Sequence, residues 1–309
     1  MRPSKSRNSN FLKLSAWNMG TFTNYHYIEG TAGCESAKLL SARPAQQKMS
    51  LRIWADLLPH FLGEDEAVDE HSMRAYDAEL KSLDAMVAQM GGLAEHALGQ
   101  AIDALLNRNP DLAEVTLEKD MDIDRLERAV DENAVSIIAR RQPVASDLRQ
   151  IVTAIRIAGD LERIGDLAKN MAKRAIAIAG EQHPKQVMTG FKHIGEAAMR
   201  QLKDVLDAYS QRDADAAVRV WQRDQEIDAM YNSLYAELLQ AMMEEPQRTG
   251  LYAHLLFGAK NIERIGDHAT NIAETIYYLI QGKVLGEERP KSDRTSQTLL
   301  LSQAGKERG

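Results

Sequence analysis

The chain contains little of what builds disulfide scaffolds, nucleic-acid surfaces or membrane spans. A single cysteine, Cys34, among 309 residues excludes a disulfide framework and a cysteine-based metal site, and it fits a reducing compartment. Aromatic residues make up only 6% of the chain and prolines number 8, which favours an all-helical protein. Residues 1–48 contain no apolar run long enough for a signal peptide or a membrane span, and the net charge of −7 argues against a nucleic-acid surface.

An internal repeat is the most informative feature that is present. The segment RIAGDLERIGDLAKNMAKRA, residues 156–175, returns as AKNIERIGDHATNIAETI, residues 259–276. The residues from Glu162 to Asp166 recur unchanged at an offset of 101, as Glu263 to Asp267. Such self-similarity predicts two copies of one structural unit.

The repeated segment predicts a buried helix that carries acids. On a helix, Glu162, Asp166 and Asn170 fall on one face and continue an apolar row that includes Ile151 and Ile155. The opposite side is apolar as well, so the helix is predicted to be buried. Two carboxylates four residues apart on such a helix repel each other, and they require a cation nearby.

A glycine lies inside the repeated segment of each half. Gly165 and Gly266 each cost about 1 kcal/mol relative to alanine in a helix interior. They are therefore predicted to mark the close approach of another backbone or of a bulky ligand.

Helical periodicity continues through both halves of the chain. It predicts six helices, at residues 72–107, 111–141, 146–179, 187–210, 213–244 and 249–281. The predicted fold is all-α, with two tandem three-helix bundles at 72–180 and 187–282 that are related by the internal repeat. Residues 1–71 are predicted to form a basic N-terminal arm, either disordered or upstream of the true translation start, and 283–309 a flexible tail.

Each bundle is predicted to bring four carboxylates together, because its second helix carries an Asp-x-x-x-Asp pair and its third a Glu-x-x-x-Asp pair. The candidate ligands are Asp120, Asp124, Glu162 and Asp166 in the first bundle, and Asp224, Asp228, Glu263 and Asp267 in the second. Oxygen ligands without histidine or cysteine at helical spacing select hard cations such as iron, manganese, magnesium or calcium. Asn170 and Asn271, one turn further on, are assigned to helix packing or to the outer shell of such a site.

The competing interpretation is a solvated acidic face. Acid pairs four residues apart often lie on helix surfaces, where ion pairs with Arg163, Arg264 or Lys173 contribute little stability. The in-register duplication favours metal binding for the acids of the third helices, whereas the pairs on the second helices border the core row and are weaker candidates. His268 has no counterpart in the first copy, where Leu167 stands, and it is expected to be incidental.

The sequence shows no Ser-His-Asp or Cys-His arrangement, so the chain is predicted not to be an enzyme. The alternative is a ferritin-like di-iron carboxylate enzyme, which needs Glu-x-x-His pairs on facing helices. Here Arg163 and Asp166, rather than histidines, follow Glu162. A third hypothesis is a purely structural helical scaffold.

These motifs resemble the PhoU family, the phosphate transport system regulatory proteins of bacteria. The resemblance is carried by QPVASDLRQIVTAIRIAGDLERIGDLAKNMAKRA and by NIERIGDHATNIAETIYYLIQG, and it covers residues 72–282. It implies a pair of three-helix bundles whose acid motifs hold metal, commonly as iron clusters. The matching motifs here are Asp120 with Asp124, Glu162 with Asp166, Asp224 with Asp228, and Glu263 with Asp267.

The resemblance also implies a cytoplasmic adaptor, often dimeric, that catalyses no reaction. Such a protein links the ATPase subunit of the phosphate ABC transporter to the phosphate-sensing histidine kinase, and it represses the phosphate-starvation response. It binds no nucleic acid and reaches the membrane only through its partners.

Overall fold

The computed structural model describes residues 47–286, and it describes side chains from Met73 onward. The chain divides into two units, Met1–Phe61 and Leu62–Gly309, and the packing described below lies within the second. Of the predicted terminal segments, residues 1–46 and 287–309 lie outside the described residues.

The described part of the chain is built from helices and contains no strand. The elements are α1 (Gln47–Asn107), α2 (Pro110–Arg141), α3 (Ala145–Ile178), α4 (Lys185–Gln211), α5 (Ala214–Gln222), α6 (Asp224–Glu244), the 3-10 turn Pro246–Arg248 and α7 (Thr249–Gln281). The all-α prediction is confirmed, and α1 begins at Gln47 rather than at residue 72. Among residues 47–286, no helix is both long and apolar enough to cross a membrane.

The same capping pattern opens the second helix of each half. The side chain of Asn109 accepts a hydrogen bond from the backbone N–H of Leu112 (3.1 Å) at the start of α2. Asp213 does the same for the N–H of Ala216 (2.9 Å) at the start of α5. Each cap satisfies a backbone donor that the helix itself leaves open, so both helices begin at the position that the repeat dictates.

The prediction of one continuous helix over 213–244 is wrong, because the helix is interrupted at Arg223 between α5 and α6. Arg223 has φ of −84° and ψ of 0°, and its guanidinium donates a hydrogen bond to Asp204 on α4. The break makes Asp224 the first residue of α6. The positive end of the helix macrodipole there stabilises its buried carboxylate, whereas the matching Asp120 lies inside the continuous helix α2.

The two halves pack against each other along two pairs of helices. Within the halves, α2 packs on α3, and α5 and α6 pack on α7. Across the halves, α3 packs on α7, and α1 meets α4 where Gly91 touches Leu206 and Gly195 touches Ile102. The core continues across these interfaces and includes the whole apolar side predicted for the third helix: Ile157, Leu161, Ile164, Ala168, Met171 and Ala175.

A glycine of each third helix accommodates an isoleucine of the second helix. A Cβ atom on Gly165 would lie 2.8 Å from Cδ1 of Ile123, and one on Gly266 would lie 2.9 Å from Cδ1 of Ile227. Each isoleucine stands between the two acids of its Asp-x-x-Ile-Asp motif, so the contact draws those acids toward the third helix. The expected close approach is confirmed, but the partner is an isoleucine side chain rather than a backbone or a ligand.

We expect Gly165→Ala to destabilise the protein by about 1 kcal/mol, because overpacking against Ile123 outweighs the gain in helix propensity. Ile123→Val removes the Cδ1 atom that the new methyl group would meet. In that background Gly165→Ala should be neutral or stabilising, and urea unfolding of the single and double variants measures the coupling.

Gly159→Ala on the same helix is the matched control, since nothing lies within 4 Å of its Cβ position. It should stabilise the protein by about 0.5–1 kcal/mol. The same cost for Gly165→Ala in both backgrounds would show that the isoleucine contact does not explain the glycine.

Candidate metal centres

The first acidic centre consists of Asp120 and Asp124 on α2 and of Glu162 and Asp166 on α3. The ammonium of Lys169 donates a hydrogen bond to Asp120, and it lies 3.6 Å from Oδ1 of Asp166. The bond to Asp120 raises the pKa of Lys169, and the charges of Asp120, Asp166 and Asp124 act in the same direction. One carboxylate from each helix, Asp120 of α2 and Asp166 of α3, thus pairs with one lysine, which supplies the cation that the sequence requires.

Glu162 of the first acidic centre is only weakly compensated by positive charge. Burial raises the pKa of Glu162, and the negative charges of Asp166, Asp124 and Glu127 raise it further. Opposing them is Arg163, whose Nε lies 3.3 Å from Oε2 of Glu162 but whose side chain is 61% exposed. Ionised Glu162 therefore costs stability in the protein alone, as an acid that lacks a buried partner.

Burial in the first half reverses the order that the sequence favours. The side chain of Asp120 on α2 is 5% exposed, whereas those of Glu162 and Asp166 on α3 are 21% and 37% exposed. The contact between Ile123 and Gly165 explains this, because it presses the α2 motif against α3. Asp120, assigned as a weaker candidate, is thus at least as well placed as the acids of α3, while Asp124 is half-buried like them.

The second acidic centre consists of Asp224, Asp228, Glu263 and Asp267, and its first three members are buried. Oε1 of Glu263 lies 2.7 Å from the ammonium of Lys260, one turn earlier on α7. Asp224 accepts a hydrogen bond from the hydroxyl of Thr270 (2.9 Å), which in turn accepts one from Gln201 on α4 (2.9 Å).

The duplication has kept the acids and changed the groups that balance them. The repeat places Thr270 where the first half has Lys169, and it places Gly159 where the second half has Lys260. In the first half one partly exposed lysine serves acids from two helices, whereas in the second half Glu263 has a lysine of its own helix. The two centres therefore differ in chemistry although their acid motifs are the same.

The donor types fit a hard cation, but the carboxylates do not form a ready-made site. Among the side chains that the structure describes, no group of three or more acidic, histidine or cysteine residues is placed to hold a metal ion. In the first acidic centre the ammonium of Lys169 lies between the acids of α2 and those of α3, where an ion would sit. Metal binding by the eight acids stays a prediction.

The two asparagines of the repeat lie in different surroundings. Asn170 is exposed, and Asn271 donates a hydrogen bond to Asp160 (3.4 Å) on α3. The assignment of Asn271 to helix packing is supported by that contact between the halves.

A histidine that the sequence treats as incidental joins the two halves. Nδ1 of His268 on α7 donates a hydrogen bond to Oδ1 of Asp160 on α3 (2.9 Å), and both side chains are largely buried. The expectation for His268 is therefore wrong. The sequence does contain a sign of this role, namely the difference between the two copies at this position. His268 is polar, whereas the matching residue of the first copy is the buried Leu167.

Comparisons with known proteins agree with the repeat. A family model described as PhoU domain matches residues 87–175 and 191–276, one match in each half. The chain is 52% identical over 226 residues to the phosphate-specific transport system accessory protein PhoU homolog of Rhizobium meliloti (strain 1021), a match that covers 73% of this chain and 95% of that protein. It is 37% identical over 216 residues to the phosphate-specific transport system accessory protein PhoU of Escherichia coli (strain K12), with 70% and 89% covered.

A solved structure shows the same architecture. The crystal structure of PhoU from Pseudomonas aeruginosa matches with a TM-score of 0.66 and 39% sequence identity, over 67% of this chain and 100% of that chain. The similarity thus includes both halves of the repeat.

Glutamine at the two matched glutamates is expected to change stability in opposite directions. Glu162→Gln removes a charge that burial and neighbouring acids disfavour, so the metal-free protein should gain about 0.5 kcal/mol at neutral pH. Glu263→Gln removes the charge that pairs with Lys260, so it should cost about 1–3 kcal/mol. Urea unfolding with a chelator present measures both, and changes of the same sign would refute the difference between the centres.

The gain from Glu162→Gln should also depend on pH. Because the pKa of Glu162 is raised in the folded state, ionised Glu162 costs stability at neutral pH, and the cost vanishes as the pH falls below the ordinary value of 4.5. The stability difference between this variant and the wild type should therefore shrink on acidification. A difference that stays constant down to about pH 4 would mean that the charge of Glu162 is not its cause.

Proposed function

Because the chain belongs to the PhoU family, we propose that it is a non-enzymatic regulator of phosphate uptake and of the phosphate-starvation response. The single observation that carries the proposal is the match of both bundles to proteins named as accessory proteins of the phosphate-specific transport system. The match covers 95% and 89% of those relatives, so the proposal rests on most of their length rather than on one shared segment.

In this role the protein acts as a cytoplasmic adaptor between two partners. One partner is the ATPase subunit of the phosphate ABC transporter, and the other is the phosphate-sensing histidine kinase, whose response the adaptor represses. A homodimer would present each docking surface twice. The helical architecture supports this role, since long helices such as α2 and α6 offer continuous surfaces for protein contacts.

Metal binding forms a second part of the proposal and applies first to the first acidic centre. Asp120, Asp124, Glu162 and Asp166 would hold a hard cation such as iron or manganese once the ammonium of Lys169 turns outward. Bound metal would neutralise these acids and tie α2 to α3. The second acidic centre, Asp224, Asp228, Glu263 and Asp267, would bind less tightly, because the buried hydroxyl of Thr270 holds Asp224 and cannot turn outward as a lysine can.

The regulatory role is tested by affinity purification of the tagged chain from phosphate-replete and phosphate-starved cells. We expect the transporter ATPase and the kinase to copurify, in amounts that change with phosphate supply. Deletion of the gene should make the starvation response constitutive, and the wild-type gene should restore repression. Normal repression after deletion, with neither partner recovered, would overturn the proposal.

The metal proposal is tested by elemental analysis of the purified protein and of two matched double variants. Glu162→Gln with Asp166→Asn should remove most of the bound metal, whereas Glu263→Gln with Asp267→Asn should remove less. Equal metal content in all three proteins would refute binding at these acids. Oxidase turnover by the iron-loaded protein that is lost in Glu162→Gln would favour a di-iron enzyme instead.

A further inference from the structure

The interface between α1 and α4 has an approximate twofold symmetry that the repeat creates. Positions on α1 match positions on α4 at an offset of 104, from Gly91 matched by Gly195 to Arg108 matched by Arg212. The contacts are reciprocal, since Gly91 touches Leu206 as Gly195 touches Ile102. Arg108 and Arg212 even share one unusual backbone conformation, each with φ of 52°. The interface therefore carries two related cavities, one at each arginine.

In the Arg212 cavity the chain supplies its own anion. The guanidinium of Arg212 donates a hydrogen bond to Asp84 on α1 (2.6 Å), and the hydroxyl of Tyr209 donates a second one (2.6 Å). Gln150 of α3 donates a third (2.9 Å), and the Arg212 guanidinium also lies over the ring of Tyr209. An arginine at this position of the fold thus binds a carboxylate.

In the Arg108 cavity the matching carboxylate is missing. The repeat places Met188 where the other cavity has Asp84, and it places Lys192 where the other has Ala88. Both residues line a cavity of about 810 Å³ together with Arg108. Arg108 donates a hydrogen bond to the carbonyl of Glu181 (3.3 Å), and no carboxylate of the described chain pairs with it.

Positive charge collects around the Arg108 cavity. Its lining includes Arg108, Lys185 and Lys192, with Asp103 as the one acid in the lining, and Nζ of Lys192 also lies 3.9 Å from Oε1 of Glu196 on the same helix. The start of α4 adds partial positive charge, because its first turn has no acid and no side chain caps it. Burial lowers the pKa of the adjoining His183, and the charges of Arg108 and Arg248 lower it further.

We propose that the Arg108 cavity binds a small phosphate-bearing anion, which takes the place that Asp84 fills in the other cavity. A phosphate group suits the site better than a single carboxylate, because the three cations outnumber the acids Asp103 and Glu196 and an arginine fork matches phosphate oxygens. The volume exceeds that of one phosphate ion, so a phosphate ester also fits. The site is separate from both acidic centres and goes beyond the proposed adaptor role.

The test is calorimetric titration of the full chain with inorganic phosphate and, separately, with magnesium-free ADP, alongside thermal unfolding. Sodium chloride of matched ionic strength is the control for screening. We expect saturable binding and a rise in melting temperature with phosphate or ADP and not with chloride. Tighter binding of ADP would identify a phosphate ester as the ligand class, and tighter binding of phosphate would identify the free ion.

Variants then assign the binding to this cavity. Met188→Asp installs the carboxylate of the other cavity beside Arg108, so it should abolish binding, whereas Met188→Leu should leave it unchanged. Arg108→Asn, which keeps a residue tolerant of the left-handed conformation, should weaken binding about tenfold or more, as should Lys192→Ala.

The arginine and lysine variants decide the question if Met188→Asp does not fold, as judged by circular dichroism. The absence of saturable binding by the wild type overturns the proposal, as does an equal effect of chloride. Wild-type affinity in folded Arg108→Asn and Lys192→Ala also overturns it, because the anion would then bind elsewhere.

Discussion

Both acidic centres depend on one packing contact, which is made once in each half. In it, an isoleucine of the second helix packs against a glycine of the third. Ile123 meets Gly165 and Ile227 meets Gly266 at nearly the same separation. A side chain on either glycine would push the helices apart, and the acids that flank each isoleucine would move with them. The influence of Asp124 on the pKa of Glu162 shows that acids of different helices are close enough to interact. The glycine lets the isoleucine bring the acid motif close to the third helix. The acid motif and the glycine therefore act together, which explains why both recur.

Within this shared geometry the two halves have diverged in how charge is balanced. Lys169 forms ion pairs with Asp120 and Asp166 in the first half. Thr270 occupies the matching position in the second half, where its hydroxyl donates a hydrogen bond to Asp224. Carboxylates held close together need a compensating positive charge or hydrogen-bond donor, which either the protein or a bound ion can supply. A lysine on a flexible stem can leave, whereas a hydroxyl buried between Asp224 and Gln201 is fixed by two hydrogen bonds. Duplication has thus produced one centre in which acids of two helices share a lysine and one in which a buried hydroxyl holds Asp224.

The sequence predicts the fold well because helical periodicity and the repeat both report on which residues are buried. Most helix positions and the apolar side of α3 follow from periodicity alone, although α1 begins at Gln47 rather than at residue 72. The interruption at Arg223 does not, because it arises from the contact with Asp204 and from the burial of Asp224, and no glycine or proline marks it. The acidic residues are found by their recurrence, whereas Lys169 is missed because it does not recur. Residues that differ between the copies carry the functional asymmetry, and their roles depend on which helices face each other across the halves.

The hydrogen bond between His268 and Asp160 shows how far that asymmetry reaches. It is made across the packing of α3 on α7, and the repeat offers no second version of it, since Leu167 and Asn261 stand at the matching positions. A chain assembled from two first halves would set Asp160 against leucine at both places, and one assembled from two second halves would bring together two histidines and two asparagines. Neither arrangement would reproduce the present hydrogen bond, so at this contact the two halves are complementary rather than interchangeable.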